Sequence, residues 1–204
     1  MSENINKIFY INLDKREDRK NEIELELKNY NLFENSERIQ AIEIPGQGIL
    51  GCTMSHLNAI KLAKERFYNN ILILEDDFQF TISKEEFENQ LQTFFGNNIP
   101  YDICMISYNI RQCQPTEYPF LTKVIEAQTA SGYIIHHSFY DKMIDLYEWA
   151  IPLLRDTQYH WDYANDQCWK RLQPEANWYC LTQRCGRQRA GYSDNSEQFN
   201  DHDC

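Results

Sequence analysis

Ile71-Leu72-Ile73-Leu74-Glu75-Asp76-Asp77 is the stretch of sequence that decides the fold. Its four consecutive branched aliphatic residues predict a strand that is buried on both faces, as in the interior of a parallel sheet. Three carboxylates follow without a spacer, and an unpaired charge is costly to bury. We therefore expect the acids to emerge at the carboxyl end of the strand, where open α/β sheets form their ligand crevices.

The three adjacent acids allow two interpretations. Carboxylates crowded at one strand end favour a bound cation, and oxygen ligands suit Mg²⁺ or Mn²⁺. Alternatively, the acids begin a solvated loop, which is common for acidic triplets in general. The aliphatic run directly before the acids makes the cation-binding interpretation more favourable than it is for acidic triplets in general. The residues alone leave both interpretations open.

Composition excludes several classes of protein. The 204 residues suit one domain, and 42% hydrophobic with 25% charged residues is a globular composition. A net charge of −11 argues against a nucleic-acid partner or an anionic membrane surface. No run approaches the roughly 18 apolar residues of a transmembrane segment, and the polar start of the chain does not resemble a signal peptide. We expect a cytoplasmic protein, and the sequence does not indicate its oligomeric state.

The seven cysteines form no C-x-x-C pair, so a zinc ribbon is not expected. Without a secretory signal, free thiols in a reducing compartment are the default. A disulfide among Cys168, Cys180 and Cys185 stays open if the protein is exported.

The amino-terminal part of the chain predicts a strand, a polar turn and a helix. The apolar pattern over residues 5–13 indicates a buried strand, and residues 18–30 indicate an exposed helix. Arg16 and Arg19 lie in or beside the turn, where arginines can grip a phosphate through bidentate hydrogen bonds. They equally suit surface charges paired with neighbouring glutamates.

A second candidate anion site follows a short strand predicted over residues 38–44. There a Gly-rich loop leads to a helix predicted over residues 57–66, with Ser55 and His56 at its start. Backbone N–H groups at a helix N-terminus favour anions. Capping of the helix by Thr53 or Ser55 is the ordinary alternative, and the two roles are compatible.

The rest of the chain alternates between strand and helix patterns. Strand patterns cover residues 101–107, 124–127 and 131–135. Helix patterns cover residues 83–94 with a capping box, residues 138–154 with Pro152 as terminator, and a segment from His160. Residues 109–118 suggest a loop, and the segment from Arg184, residues 195–204 above all, a polar tail. This order predicts a single α/β domain, 1–204, with a mostly parallel sheet.

Several blocks of this sequence resemble the family 25 glycosyltransferases, which include lipooligosaccharide and collagen galactosyltransferases. The blocks are Ile11-Asn12-Leu13-Asp14-Lys15-Arg16-Glu17-Asp18-Arg19, Gly51-Cys52-Thr53-Met54-Ser55-His56, Leu72-Ile73-Leu74-Glu75-Asp76-Asp77, Ala130-Ser131-Gly132-Tyr133-Ile134-Ile135 and the late pair Ser193-Asp194. The first three blocks, in this order, are specific to the family, and the last two are weak alone.

The resemblance implies a GT-A-type, Rossmann-like fold, a UDP-galactose or UDP-glucose donor, a glycan or glycoprotein acceptor and an inverting outcome. It also implies Mn²⁺ or Mg²⁺ at the acidic motif, with Asp77, Glu75 and Asp194 as candidate ligands. The nucleotide contacts it implies are Asn12, Leu13, Arg16, Arg19, Ser55, His56, Glu75 and Asp76. The chain is too short for an appended acceptor-binding domain, which leaves the acceptor open.

Inversion in one displacement needs a base that takes the proton of the acceptor hydroxyl. Asp162, near the start of a predicted helix, is the first candidate, and Asp166, one turn later, is the reserve. Asp162 alternatively caps its helix or complements the helix dipole.

Two rival functions remain after the resemblance is considered. One is a catalytically silent module that binds a nucleotide sugar or carbohydrate, for which the 4 tryptophans and 13 tyrosines offer stacking surfaces. The other is a metal-dependent phosphohydrolase. The intact Glu75-Asp76-Asp77 motif favours an enzyme over the silent module. The lack of a second, equally acidic strand end disfavours a two-metal hydrolase.

Overall fold

The strand that carries the acidic motif lies inside an eight-stranded sheet of the computed structural model, which describes residues 4–193 and 198–200. The strands are β1 (Lys7–Asn12), β2 (Ser36–Gln40), β3 (Asn70–Glu75), β4 (Phe78–Phe80), β5 (Ile103–Met105), β6 (Asn109–Pro115), β7 (Leu121–Gln128), β8 (Gly132–His136), β9 (Trp178–Leu181), β10 (Gly186–Gln188), β11 (Gly191–Ser193) and β12 (Gln198–Asn200). The helices are α1 (Glu17–Asn29), α2 (Gly48–Glu65), α3 (Lys84–Gly96), α4 (Tyr140–Thr157), α5 (His160–Tyr163) and α6 (Asn165–Cys168).

The order of the strands in the main sheet is β2-β1-β3-β8-β5-β9-β7-β6. The pairs β1–β2, β1–β3 and β5–β9 are parallel, and the other four neighbouring pairs are antiparallel. Across the whole sheet, β8 and β7 therefore run in one direction and the other six strands run in the opposite direction. The sheet is therefore mixed but mostly parallel, as the sequence predicts.

Register brings the ends of β1 and β3 together. Ile11 of β1 pairs with Glu75 of β3, so Asn12 and Asp76, the residues that follow these two in the chain, emerge side by side. Two-residue periodicity along β3 sends Ile71 and Ile73 to one face of the sheet and Leu72 and Leu74 to the other, and each of these four is completely buried.

Helices cover both faces of the sheet and produce three layers. Residues of α2 and α4, such as Ile60 and Tyr147, pack on the face that carries Ile73. Residues of α1 and α3, such as Ile23 and Phe87, pack on the other face. This two-sided cover explains why the aliphatic run of β3 lacks alternation between apolar and polar residues.

The prediction that α2 starts near Leu57 is wrong, because the helix begins at Gly48. The glycines resemble a loop in sequence, but Gly51 serves close packing: a Cβ on it would lie 2.2 Å from the Ile42 carbonyl oxygen. Thr53 and Ser55 do not cap the helix. Their hydroxyls donate instead to carbonyl groups four residues earlier, within the helix.

Three further expectations fail for local reasons. Residues 109–115 form β6, whose edge position leaves most of its side chains exposed and so removes any apolar pattern. Pro152 lies inside α4, which continues to Thr157 and still buries Leu154. Part of the expected polar tail is ordered, since β10 pairs with β4, and β11 pairs with β12.

The capping box at Ser83 is confirmed, with the Ser83 hydroxyl accepting from the Glu86 amide and the Glu86 carboxylate accepting from the Ser83 amide. Cysteines at six positions of the described chain are free thiols. Among the helices described, none is long and apolar enough to cross a membrane.

Replacing Gly51 with alanine tests the packing of α2. Alanine ordinarily stabilises a helix interior by up to about 1 kcal/mol relative to glycine. Here the added methyl group meets the backbone of Ile42, so we expect Gly51→Ala to lower the free energy of unfolding by about 1–3 kcal/mol. Gly96→Ala, where a Cβ meets nothing within 4 Å, is the control and is neutral or stabilising in urea titrations. Equal stability of the two variants contradicts the packing assignment.

Candidate functional site

The three acids lie where β3 ends. Glu75 is the last residue of the strand, and Asp76 and Asp77 form the turn before β4. Their side chains are 19%, 10% and 15% exposed, respectively. The acids are therefore largely buried at the carboxyl end of β3 and do not form a freely solvated loop.

Asn12 connects the ends of β1 and β3. Its amide group Nδ2 donates to Asp76 Oδ2 at 2.7 Å and to the Arg16 carbonyl oxygen at 3.1 Å. Its Oδ1 accepts from Arg38 Nε at 2.9 Å. The buried amide thus fixes Asp76 and the start of the following turn, which Arg16 N closes by donating to the Leu13 carbonyl oxygen.

Arg19 supplies positive charge to the acidic motif. Its NH1 group donates to Asp76 Oδ1 and to Asp77 Oδ2, each at 3.1 Å, and its side chain is only 14% exposed. Arg16 instead forms a pair with the exposed Asp18 through two hydrogen bonds of 2.9 and 2.8 Å. The two arginines of the turn therefore differ, since Arg19 has an internal ion-pair role that the sequence did not reveal.

Glu75 is fixed from α2. His56 Nε2 lies 3.0 Å from Glu75 Oε1, and His56 Nδ1 lies 2.9 Å from the Tyr133 hydroxyl. Cys52 Sγ donates to the same carboxylate oxygen at 3.7 Å. Ser55, predicted as a neighbour of His56 in the cleft, is completely buried, and its hydroxyl accepts from the Ile42 amide. Ser55 thus holds the loop before α2 against the helix.

The acids differ in their ionisation. Burial and then the negative charge of Glu75 raise the pKa of Asp77 to about 7, although Arg19 opposes this shift. Burial also raises the pKa of Asp76 against the effect of Arg19. For Glu75, burial is outweighed by the hydrogen bond with His56 and by further favourable interactions, including that with the charge of Arg19, so that its pKa is lowered. Asp77 Oδ1 is buried without a hydrogen-bond partner among the described residues.

Asp166 approaches the same site from α6. Its Oδ2 accepts from the Thr129 amide at 3.0 Å and its Oδ1 accepts from Gln167 Nε2 at 3.2 Å. Burial raises the pKa of Asp166. The neighbouring Asn165 connects α6 to the acids, since it donates to Cys52 Sγ, the thiol that contacts Glu75. Asp162 lies exposed on α5.

Gln188, which ends β10, and Arg189, which follows it, contact the acidic motif. Gln188 Nε2 donates to Glu75 Oε2 at 3.5 Å, and the Arg189 amide donates to the Asp77 carbonyl oxygen at 2.6 Å. No sequence pattern predicts these contacts, nor those made by Arg38, Tyr133 and Cys52. Asp194, the third predicted metal ligand, lies outside the described residues.

Two hollows in the described part of the chain lie away from the acids. One, of about 240 Å³, is lined by residues that include Ile5, Leu72 and Leu91. The other, of about 130 Å³, lies beside the start of α2 and includes Gln158 and His160. Neither is lined by Glu75, Asp76 or Asp77.

No protein-family model and no curated protein matches this chain. Solved structures match it in fold. A197 from STIV superposes with a TM-score of 0.54 at 13% identity, over 98% of this chain and 97% of that one. A glycosyltransferase involved in the glycosylation of the major capsid of PBCV-1 gives 0.54 at 10% identity, over 85% and 81%. A mannose-1-phosphate geranyltransferase from Thermus thermophilus gives 0.50 at 7% identity, over 91% and 74%.

At such low identities these likenesses establish the fold alone. The prediction of a GT-A-type α/β fold with a mostly parallel sheet is confirmed. Membership of family 25, which rests on the sequence blocks, stays a prediction.

Removal of the Arg19 charge tests whether this residue offsets the cost of burying Asp76 and Asp77. We expect Arg19→Met to lower the free energy of unfolding by about 3 kcal/mol, because Asp76 and Asp77 lose their buried counter-charge. Arg155→Met, which breaks an exposed pair with Asp156, serves as the control and costs less than about 1 kcal/mol. Adding Asp77→Asn to Arg19→Met should restore part of the loss. Equal urea midpoints for the two single variants rule out this charge balance.

Proposed function

We propose that this chain is a metal-dependent, inverting glycosyltransferase that moves galactose or glucose from a UDP-sugar to a glycan or glycoprotein acceptor. The observation that carries the proposal is the Asp77 Oδ1 atom, which is buried at the carboxyl end of β3 and lacks a hydrogen-bond partner among the described residues. A buried carboxylate oxygen without a partner is costly unless a ligand completes its surroundings. The fold and the family 25 sequence blocks support the choice of reaction.

The residues at the tip of β3 fit a hard divalent cation. Glu75 and Asp77 offer carboxylate oxygens, which Mg²⁺ and Mn²⁺ prefer, and Glu75 Oε2 and Asp77 Oδ1 are the oxygens not engaged by His56 or Arg19. Asp194 stays a candidate third ligand. A bound ion supplies charge stabilisation to the diphosphate that leaves the sugar.

The nucleotide end of the proposed site is the turn after β1. Arg16, Arg19 and the amide of Asn12 lie where β1 ends, beside the acidic motif. Guanidinium groups bind phosphate oxygens through paired hydrogen bonds. The Asp18 end of its pair with Arg16 is exposed, so a donor phosphate would compete there with the Asp18 carboxylate for the guanidinium group. Asn12 would hold Asp76 in place while Arg16 contacts the donor.

Asp166 is the base that the geometry supports better than Asp162. Its neighbour Asn165 contacts Cys52, which in turn contacts Glu75, and two donors, the Thr129 amide and Gln167, orient the Asp166 carboxylate. Burial makes this group a stronger base than a solvated aspartate. In the proposed step it accepts the proton of the acceptor hydroxyl as that oxygen attacks the sugar carbon and the bond to the diphosphate breaks.

Release of UDP tests the proposal directly. UDP-galactose and UDP-glucose are incubated with the protein, Mn²⁺ and mixed glycan acceptors, and we expect UDP release that stops when the metal is chelated. Asp77→Asn should reduce it by at least about 100-fold, because the unpartnered oxygen no longer carries charge. Asp156→Asn, at an exposed site, is the matched control.

The rival functions give different results in the same assay. Donor binding that needs no metal and survives Asp77→Asn indicates the silent binding module. Release of inorganic phosphate without sugar transfer indicates the phosphohydrolase.

Asp166→Asn and Asp162→Asn separate the two candidate bases. We expect Asp166→Asn to lower kcat by about 10²–10⁴-fold, the usual contribution of a general base, while the Kd for the UDP-sugar changes little. Asp162→Asn should leave both values near those of the unmodified protein, since its carboxylate is exposed on α5. The reverse ranking of the two variants would reassign the base to Asp162.

A further inference from the structure

Cys52 and His56 lie one helical turn apart on α2, and both side chains reach Glu75. Residues four apart share one face of a helix, so this spacing presents a thiol and an imidazole together. Cys52 Sγ is 3.7 Å and His56 Nε2 is 3.0 Å from the same oxygen, Glu75 Oε1. The three candidate ligand atoms lie within 4.8 Å of one another. A helix and a strand thus converge on one small volume with sulfur, nitrogen and oxygen donors.

We propose that Cys52, His56 and Glu75 form a binding site for a thiophilic divalent cation of the Zn²⁺ class. Zinc takes this combination of ligands, and three protein ligands leave its fourth position open to solvent or a ligand. Bonds of about 2.0–2.3 Å place neighbouring ligands of a tetrahedral ion about 3.5 Å apart. The observed separations of 3.0 and 3.7 Å bracket that value.

Proton positions are consistent with this binding. Without an ion, the distances suit the neutral tautomer in which His56 Nε2–H donates to the Glu75 carboxylate and Nδ1 accepts from the Tyr133 hydroxyl. On binding, the thiol of Cys52 releases one proton to solvent, and the imidazole proton moves from Nε2 to Nδ1, where it is donated to the Tyr133 oxygen. The cation takes the place that these protons hold between the ligands.

A second layer of residues orients the ligands. Tyr133 is completely buried beside His56, and its hydroxyl fixes the ring through the nitrogen that does not face the ion. Partners of this kind accompany most metal-bound histidines. Asn165 Nδ2 donates to Cys52 Sγ at 3.7 Å. The backbone N–H of Asn165 donates to Thr53 Oγ1, which holds this residue in place. The thiol and the imidazole are therefore both preoriented.

This site differs from the proposed Mn²⁺ site in the chemistry of its ligands. Sulfur selects softer ions over Mg²⁺ and Mn²⁺, whereas Asp77 offers only oxygen. The two sites meet at Glu75, whose Oε1 faces Cys52 and His56 while its Oε2 faces Gln188. The inference does not depend on the proposed function, because none of its three ligands needs a nucleotide sugar.

Cobalt is the spectroscopic probe for the test. Titration of the metal-free full chain with Co²⁺ should give sulfur-to-cobalt charge-transfer absorption that saturates at one equivalent and is displaced by Zn²⁺ but not by Mg²⁺. Cys52→Ser should abolish this absorption, whereas Cys113→Ser, at an exposed cysteine of β6, should retain it. Circular dichroism checks that each variant is folded. Tyr133→Phe should weaken Zn²⁺ binding by about 10–100-fold, as loss of a second-layer partner does.

Absence of the charge-transfer absorption in the unmodified protein, or its persistence in folded Cys52→Ser, overturns the inference. The cluster would then be a hydrogen-bond network that only positions Glu75. A protein that binds Co²⁺ through Cys52 but releases no UDP would retain this site and lose the proposed function, so the two failures are distinguishable.

Discussion

Compensation of charge at the end of β3 is the constraint on which the site depends. Two aspartates and a glutamate are held there at 10–19% exposure, and their mutual repulsion must be balanced. Arg19 bridges both aspartates, and Asn12 donates to the one nearer β1. The balance is incomplete, because Asp77 keeps a raised pKa and a buried oxygen without a partner in the described chain. That residual imbalance is what suits the site to a cation.

Parallel register explains why this compensation comes from distant parts of the sequence. Since β1 and β3 are parallel neighbours, their carboxyl ends lie together although 64 residues separate Asn12 from Asp76. Arg19, near the start of the following helix α1, contacts Asp76 and Asp77 at the same edge of the sheet. The strand–turn–helix at the start of the chain is thus the element that neutralises the acidic motif, as well as a candidate phosphate-binding turn.

The sequence predicts those features that depend on local pattern. The buried strand at residues 71–74, the capping box at Ser83 and the position of the acids at the strand end follow from hydrophobicity, hydrogen-bonding chemistry and the cost of burying charge. It does not predict features that depend on tertiary neighbours. Gly51 resembles a loop residue until the Ile42 carbonyl is placed against it, and β6 has no apolar alternation because it is an edge strand.

The same distinction applies to the site residues: Asn12, Arg19, His56 and the three acids are brought together, since each lies at or beside a strand end or on the helix packed against it. Their pairwise partners, such as Tyr133 with His56, depend on side-chain directions in three dimensions that spacing does not encode.

Residues 186–189, far along the chain, also hold the turn that carries the acids. Gly186 of β10 packs so closely on Phe78 that a Cβ would lie 2.2 Å from the ring, and the Arg189 amide then holds the Asp77 carbonyl group. Arg189 also pairs with Glu26 of α1, so this contact ties the turn that carries Asp76 and Asp77 to the helix that carries Arg19. A segment that looks like a polar tail in sequence therefore holds the same turn that Arg19 of α1 contacts through the Asp76 and Asp77 side chains.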